Sequence, residues 1–303
     1  MNELTARETL SDQIAIRARA DRAANQRARL ISLLSRQVFG VVLVLLACLW
    51  LAPIVWTLST SLRTPAQSFS LPPKWLPTDL AFANYSRVFD SVPFAEILMN
   101  SVKVSLAIVL GQLVTASLAG YAFARLSFPG KNLLFILLMA SLMVPAQATI
   151  IPVFLLIKWF GLADTLWALI VPAWVSAFGV FFMRQAFMQI PQDLVDAAKI
   201  DGADQWHIFS RLFVPLCAGP MAVLAILSFN VHWNELFRPL IFLSSQQHFT
   251  LPLGLVTLQG YLGTGSLSVV LAGVVISMMP VLLIFIFAQR FVIEGIARTG
   301  VKG

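Results

Sequence analysis

The feature that most limits this chain is where its charges are missing. No Asp, Glu, Lys or Arg occurs at 37–62, 104–124, 132–157, 165–183, 212–234 or 239–289. A helix of about 20 apolar residues crosses the hydrocarbon of a bilayer, so each of the first five stretches reads as one span. The last stretch is too long for one. Its first part holds Ser244-Ser245-Gln246-Gln247-His248, Gly260 and Gly263-Thr264-Gly265, which read as a loop, and the sixth span is then about 267–289. Only 12% of the 303 residues are charged and 58% are hydrophobic, whereas a soluble domain carries about 25% charged residues. Barrel strands are short and alternate in polarity, which these runs do not. The expected fold is an all-α polytopic membrane protein with six transmembrane helices.

The cations give the orientation. Arg7, Arg17, Arg19, Arg22, Arg27, Arg29 and Arg36 precede span one; Arg125 and Lys131 follow span two; Arg184, Lys199 and Arg211 follow span four; Arg290, Arg298 and Lys302 end the chain. The other side has Arg63, Lys74, Arg87, Lys158 and Arg238, with Lys103 at a membrane edge. Lys and Arg gather on the cytoplasmic side, so both termini are expected there. The net charge of +7 is thus a topology signal rather than a nucleic-acid footprint. Residues 1–36 read as a cytoplasmic tail and 37–303 as the membrane domain. The first apolar run is long enough to span, so a cleavable signal is not expected. The outer segment 63–99, punctuated by Pro65, Pro72, Pro73, Pro77 and Pro93, is expected to pack on the helices with little regular structure.

Several chemistries are missing. Gly130-Lys131 is followed by Asn132 and lacks the upstream glycine of a phosphate-binding loop. His207, His232 and His248 are scattered, and Cys48 and Cys217 lie in apolar runs. They suggest neither a metal site nor a disulfide framework. The spans contain almost no ionisable residues, with Glu235 and Arg238 placed at the outer end of span five. An ion-coupled sugar carrier would need such groups. A membrane enzyme acting on lipid-linked sugar would need clustered acids or a metal triad.

The segment 190–215 is the most polar cytoplasmic stretch between spans. Pro191 suits a first helical turn, and Asp193 and Asp196 favour its positive end. Leu194, Val195 and Ala198 share a face, and Asp201-Gly202 is a helix stop. A second amphipathic run places Trp206, Phe209 and Phe213 on one stripe. Helix, tight turn and helix form a projecting knob that a partner's groove could grip.

The string Asp196-Ala197-Ala198-Lys199-Ile200-Asp201-Gly202, followed by Leu212-Phe213-Val214-Pro215-Leu216, closely resembles the coupling motif of binding-protein-dependent ABC importer permeases, E-A-A-x-x-x-G and then I-x-L-P. Asp196 stands where that family usually has Glu, keeping the charge and shortening the reach. The resemblance covers nearly the whole chain. Pro72-Pro73, Asn84-Tyr85, Ala119-Gly120-Tyr121-Ala122-Phe123-Ala124-Arg125 and Trp233-Asn234-Glu235 resemble the carbohydrate branch. So do Pro239-Leu240-Ile241-Phe242-Leu243, Thr250-Leu251-Pro252-Leu253-Gly254-Leu255 and the ending Gly300-Val301-Lys302-Gly303. They are similar to the smaller, six-span permease of the maltose-type pair.

The resemblance implies a non-catalytic pore subunit, without a cofactor of its own, in a bacterial or archaeal cytoplasmic membrane. It would pair with a second permease as a heterodimer. An ATPase dimer holding ATP and Mg would drive it, and an extracytoplasmic sugar-binding protein would load it. Asp196, Ala197, Ala198, Asp201, Gly202, Trp206, Phe209 and Pro215 would dock the ATPase. Gly260, Gly263 and Gly265, in a pliable outer loop at about 244–268, would meet the binding protein. Gln112, Thr115, Ser117, Gln147, Asn230 and Asn234 are uncharged polar residues within the spans. They are candidates for a sugar path, though such residues also serve helix–helix hydrogen bonds.

The orientation is testable in a chain lacking Cys48 and Cys217. A cysteine at Ser245 should react with an impermeant thiol reagent added outside cells, and one at Gln205 should not. The reverse labelling would refute the topology.

Overall fold

The structure, a computed structural model, describes residues 35–67, 77, 79–260 and 265–300. Most of the expected tail 1–36 therefore lies outside the described residues, as does Gly263. The described chain is helical, with no strand among the described residues. It divides into two compact units, one ending at Ser59 and the other starting at Thr60.

Three helices are long and apolar enough to span alone: α1 (Ser35–Ser61), α3 (Phe94–Arg125) and the stretch Leu267–Phe287 of the last helix. Three bent pairs supply the rest: α4 (Lys131–Ser141) with α5 (Ala146–Trp159) at 103°, α6 (Trp167–Ala173) with α7 (Ala177–Met188) at 41°, and α9 (Gln205–Leu216) with α10 (Ala218–Trp233) at 73°. Counting each pair as one span gives the six that were expected. Between α7 and α9 lies α8 (Gln192–Ile200), and α11 (Phe237–Phe242), α12 (Leu251–Thr257) and α13 (Leu267–Gly300) complete the chain.

The breaks were not foreseen, and their causes are local. Pro145 caps α5 in an extended conformation, which ends α4 four residues earlier. Ser176 caps α7 by accepting a 3.1 Å hydrogen bond from the Gly179 N–H. Before the third bend, Ile208–Phe213 is π-helical. Pro215 has no N–H to donate to the preceding turn, so the helix widens there.

The other differences from expectation are at helix ends. The helix that carries span two, α3, starts at Phe94, before the charge-free stretch, so Glu96 and Lys103 lie within it. Gaps between charges measure the hydrocarbon, whereas a helix can run on past it. The segment 63–99 is more regular than expected, because α2 (Ala83–Ser91) forms in it. Asn84 is fully buried, and its Nδ2 donates to the Ser61 and Arg63 carbonyls at 2.8 and 2.7 Å. The stretch 244–268 is not a pliable loop throughout. Pro252 sits in the first turn of α12, where a missing N–H costs nothing, and Leu251 and Leu253 are buried.

In the second unit α3 is the central post, packed against α6, α7, α10 and α12, while α13 packs on α10 and α2. Small residues let the helices approach. A Cβ on Gly120 would lie 2.9 Å from the Arg184 backbone nitrogen, and one on Gly179 would lie 3.2 Å from Ala116 Cβ. A Cβ on Gly111 would overlap the Trp174 ring. Gly120→Val should therefore force α7 off α3 and destabilise the fold by about 1–3 kcal/mol. Gly219→Ala, with nothing within 4 Å of its added carbon, is the control. Thermal unfolding in detergent should show a lower midpoint for the first variant only; equal midpoints would contradict this packing.

Candidate coupling surface and the polar anchors of the spans

The knob is built by backbone chemistry that its sequence encodes. α8 ends where Gly202 takes φ +82°. The Gly202 N–H then reaches the Lys199 carbonyl at 3.0 Å, and the Ala203 N–H reaches Ala198 at 2.9 Å. This pair of bonds satisfies carbonyls that a helix end leaves open. Asp204 starts the next helix, accepting from the His207 N–H at 2.7 Å and facing the His207 Nδ1 at 2.9 Å. Those two hydrogen bonds hold the Asp204 carboxyl below its ordinary range. Two helices thus meet at a turn with no slack residue.

Asp196, Ala197, Asp201, Gly202 and Trp206 are exposed, and Ala198 is half-buried. Phe209 departs from the docking expectation because it is turned inward. Its ring lies 5.2 Å from that of Tyr121, beside Phe187 and the fully buried Phe213. Its ring also lies 5.5 Å from that of Trp206, so the stripe itself forms, and the Phe209 end of it is covered by this aromatic cluster. Pro215 is exposed but lies in the bend leading to α10. Sequence reasoning missed Ile200, which is 87% exposed on the same face. An isoleucine one position after Lys199 and off the buried Val195 stripe was the available signal.

The polar groups of the spans sort into two kinds. Gln112 Nε2 donates to the Ala173 carbonyl at 2.7 Å and lies 3.2 Å from His232 Nε2. Thr115 donates to the Trp174 carbonyl at 2.6 Å, and Ser117 is buried with its hydroxyl unpartnered. These three lie in helix packing. Asn230 and Asn234 instead line a cavity of about 390 Å³ together with Trp233, Pro252, Leu255 and Ser277. Gln147 is exposed beside the α4–α5 elbow.

A second anchor was not anticipated. His232, Glu235 and Arg238 form one mostly buried cluster. His232 Nδ1 is 3.2 Å from Glu235 Oε2, Arg238 pairs with Glu235, and Arg238 Nη1 donates to the Leu169 carbonyl at 3.2 Å. The spacing of three was legible, but the helix end at Trp233 hid that the chain folds the charges back. Nearby, Asp164 holds a positive φ of 57°. Its carboxylate accepts from the Ser245 hydroxyl and from the Ser245 and Ser244 N–H groups. These bonds hold its pKa well below the carboxylate range. Gly260 has φ +67°, and the Gly265 N–H reaches the Gln259 carbonyl at 2.7 Å.

Residues 112–297 match the family described as the binding-protein-dependent transport system inner membrane component. The chain belongs to that family. This inner membrane component is 40% identical over 204 residues to the arabinooligosaccharides transport system permease protein AraQ of Halalkalibacterium halodurans, covering 67% of this chain and 73% of that protein. It is 33% identical to the Bacillus subtilis protein of the same name, covering 86% and 93%. The trehalose transport system permease protein SugB of Mycobacterium tuberculosis is 31% identical, over 84% and 93%. Its fold is similar to a chain of a bacterial ABC transporter involved in the import of the acidic polysaccharide alginate, with TM-score 0.75 and 24% identity over 84% and 97%.

In this inner membrane component, Gly202 has open space around its would-be Cβ, so its need for glycine within the chain is conformational. Positive φ costs another residue about 1–2 kcal/mol. Gly202→Val should reach the membrane at near-normal levels and lose transport, with Gly202→Ala milder. Asp196→Glu should be tolerated, and Asp196→Lys should weaken capture of the ATPase. Uptake and ATPase co-purification measure all four. Normal uptake by both Gly202→Val and Asp196→Lys would remove this turn from coupling.

Proposed function

We propose that this chain is a pore-forming permease of an ATP-driven, binding-protein-dependent sugar importer. The observation that carries it is the exposed, rigidly turned knob at 190–215, in a chain of this family whose relatives include sugar permeases. The knob docks a separate ATPase dimer, which holds ATP and Mg. A second permease completes the pore, and a sugar-binding protein delivers cargo at the opposite face. Both termini are cytoplasmic in this reading. Asn230 and Asn234, with Ser277, give a mainly apolar cavity a few polar groups, Asn234 Nδ2 donating to the Asn230 carbonyl at 2.8 Å. That combination suits the polar rim and apolar face of a sugar ring. Gly260 and Gly265 belong to the segment that would meet the binding protein.

The His232–Glu235–Arg238 cluster is the feature that an ion-coupled carrier would use. Its carboxylate is already engaged by a guanidinium and an imidazole, which leaves it poorly placed to take up a transported ion. The test is reconstitution in proteoliposomes. The chain alone should neither hydrolyse ATP nor accumulate sugar. Uptake should appear when the second permease, the ATPase and a loaded binding protein are supplied together. Uphill sugar transport by the lone chain under an ion gradient would establish the carrier reading instead.

A further inference from the structure

The covalent links between the knob and the spans are both joints. On the entry side Pro191 is extended, with ψ 141°, between α7 and α8. On the exit side the chain bends by 73° at Cys217, between α9 and α10. A load on a body held by two such joints would be absorbed there. Force passes through packed side chains and rigid elements, so the question is what else holds the knob.

The last turn of α3 does. Tyr121 and Arg125 are four residues apart and lie on one helix face. Arg125 reaches the entry side. Its Nη2 donates to the Phe187 carbonyl at 2.7 Å and to the Ile190 carbonyl, and its Nη1 donates to Gln192 Oε1 at 2.9 Å. A guanidinium thereby closes the carbonyl end of α7 and fixes the first residue of α8. Tyr121 reaches the exit side, donating to Gln205 Oε1 at 2.8 Å. Its ring lies 5.0 Å from that of Phe213, and the Arg125 guanidinium lies 5.1 Å from the same ring. Both arms of the knob are tied to one helix, across the entry joint by Arg125 and ahead of the exit joint by Tyr121.

We infer that Tyr121 and Arg125 are positioning residues that form a brace, making the knob and α3 move as one body so that the ATPase stroke is delivered to the central post. This rests on the coupling role proposed above. Arg125 is not interchangeable with lysine here, because three acceptors in different directions need a planar fork. Tyr121→Phe keeps the ring in the aromatic cluster and removes only the bond to Gln205.

The experiment uses the complete transporter with Tyr121→Phe, Arg125→Lys and the double variant. Each should assemble with the ATPase at normal levels. Sugar moved per ATP hydrolysed should fall modestly in the singles and about tenfold in the double, since both act in one network. A second readout does not depend on transport. Spin labels at Ser127 and Lys199, in a chain lacking Cys48 and Cys217, should keep one narrow distance in nucleotide-free and vanadate-trapped states. In the double variant that distance should broaden and change with nucleotide. An unchanged transport ratio in the double variant, or a wild-type distance that changes with nucleotide, would overturn the brace. An invariant wild-type distance in a transporter that moves no sugar would instead refute the sugar reading and leave the brace standing.

Discussion

The close approach of α3 to α7 is the contact on which the rest of the second unit depends. In hydrocarbon the lipid tails are as apolar as the side chains, so burial of apolar surface does not drive helices together. Contact area and polar bonds must do it. Gly120 and Gly179 with Ala116 remove side-chain bulk along this seam, and backbone lies almost on backbone. With α7 held there, Phe187 and Ile190 arrive at the right place for Arg125, and Ala173 arrives at the right place for Gln112. The same seam therefore sets the position of the knob at one end and of the polar cluster around His232 at the other.

Along α3 several polar side chains act as pins between elements. Asn100 donates to the Gln247 and Phe249 carbonyls, Gln112 and Thr115 donate to the end of the α6 region, and Tyr121 and Arg125 hold the knob. Each serves a backbone carbonyl or side chain that a loop, a cap or a helix break leaves open. The breaks in the other spans create such unsatisfied groups, and the unbroken α3 supplies the donors. A rigid helix amid bent ones is what this distribution of hydrogen bonds requires.

The spans were legible because a charge in hydrocarbon is costly enough to leave a gap in the sequence. Their breaks were not, because proline alone does not decide one. Pro152, Pro172 and Pro280 lie inside helices, while Pro145 starts one and Pro215 follows a π-helical turn. The residue type is the same at all five positions, so the segment's own sequence does not tell a break from an unbroken helix. The knob was legible to the residue at Asp201-Gly202, where backbone conformation and residue type are tightly linked. It was misread at Phe209, which keeps its place beside Trp206 but is covered by Tyr121, a residue 88 positions earlier in the chain that the stripe alone does not reveal. Arg125 and Tyr121 were visible only as part of a family-like string, since their partners lie 62–84 residues away.

The charges within the second unit also bear on where the driving energy enters. A group that carries a gradient must exchange its ion as the protein moves. Glu235 is held by Arg238 and His232, and Arg238 also donates to the Leu169 carbonyl. Freeing that carboxylate would leave a guanidinium uncompensated in a mostly buried place, a change costing several kcal/mol. The cluster is therefore better suited to locking α10 and α11 against α6 than to cycling. At the knob the balance is reversed. Ile200 and Trp206 are 87% and 62% exposed, beside acidic Asp196 and Asp201, on a turn closed by the Gly202 and Ala203 N–H bonds. Apolar surface left open on a rigid support is where a partner can do work on the chain, and the α3 contacts then decide how far into the membrane that work is carried.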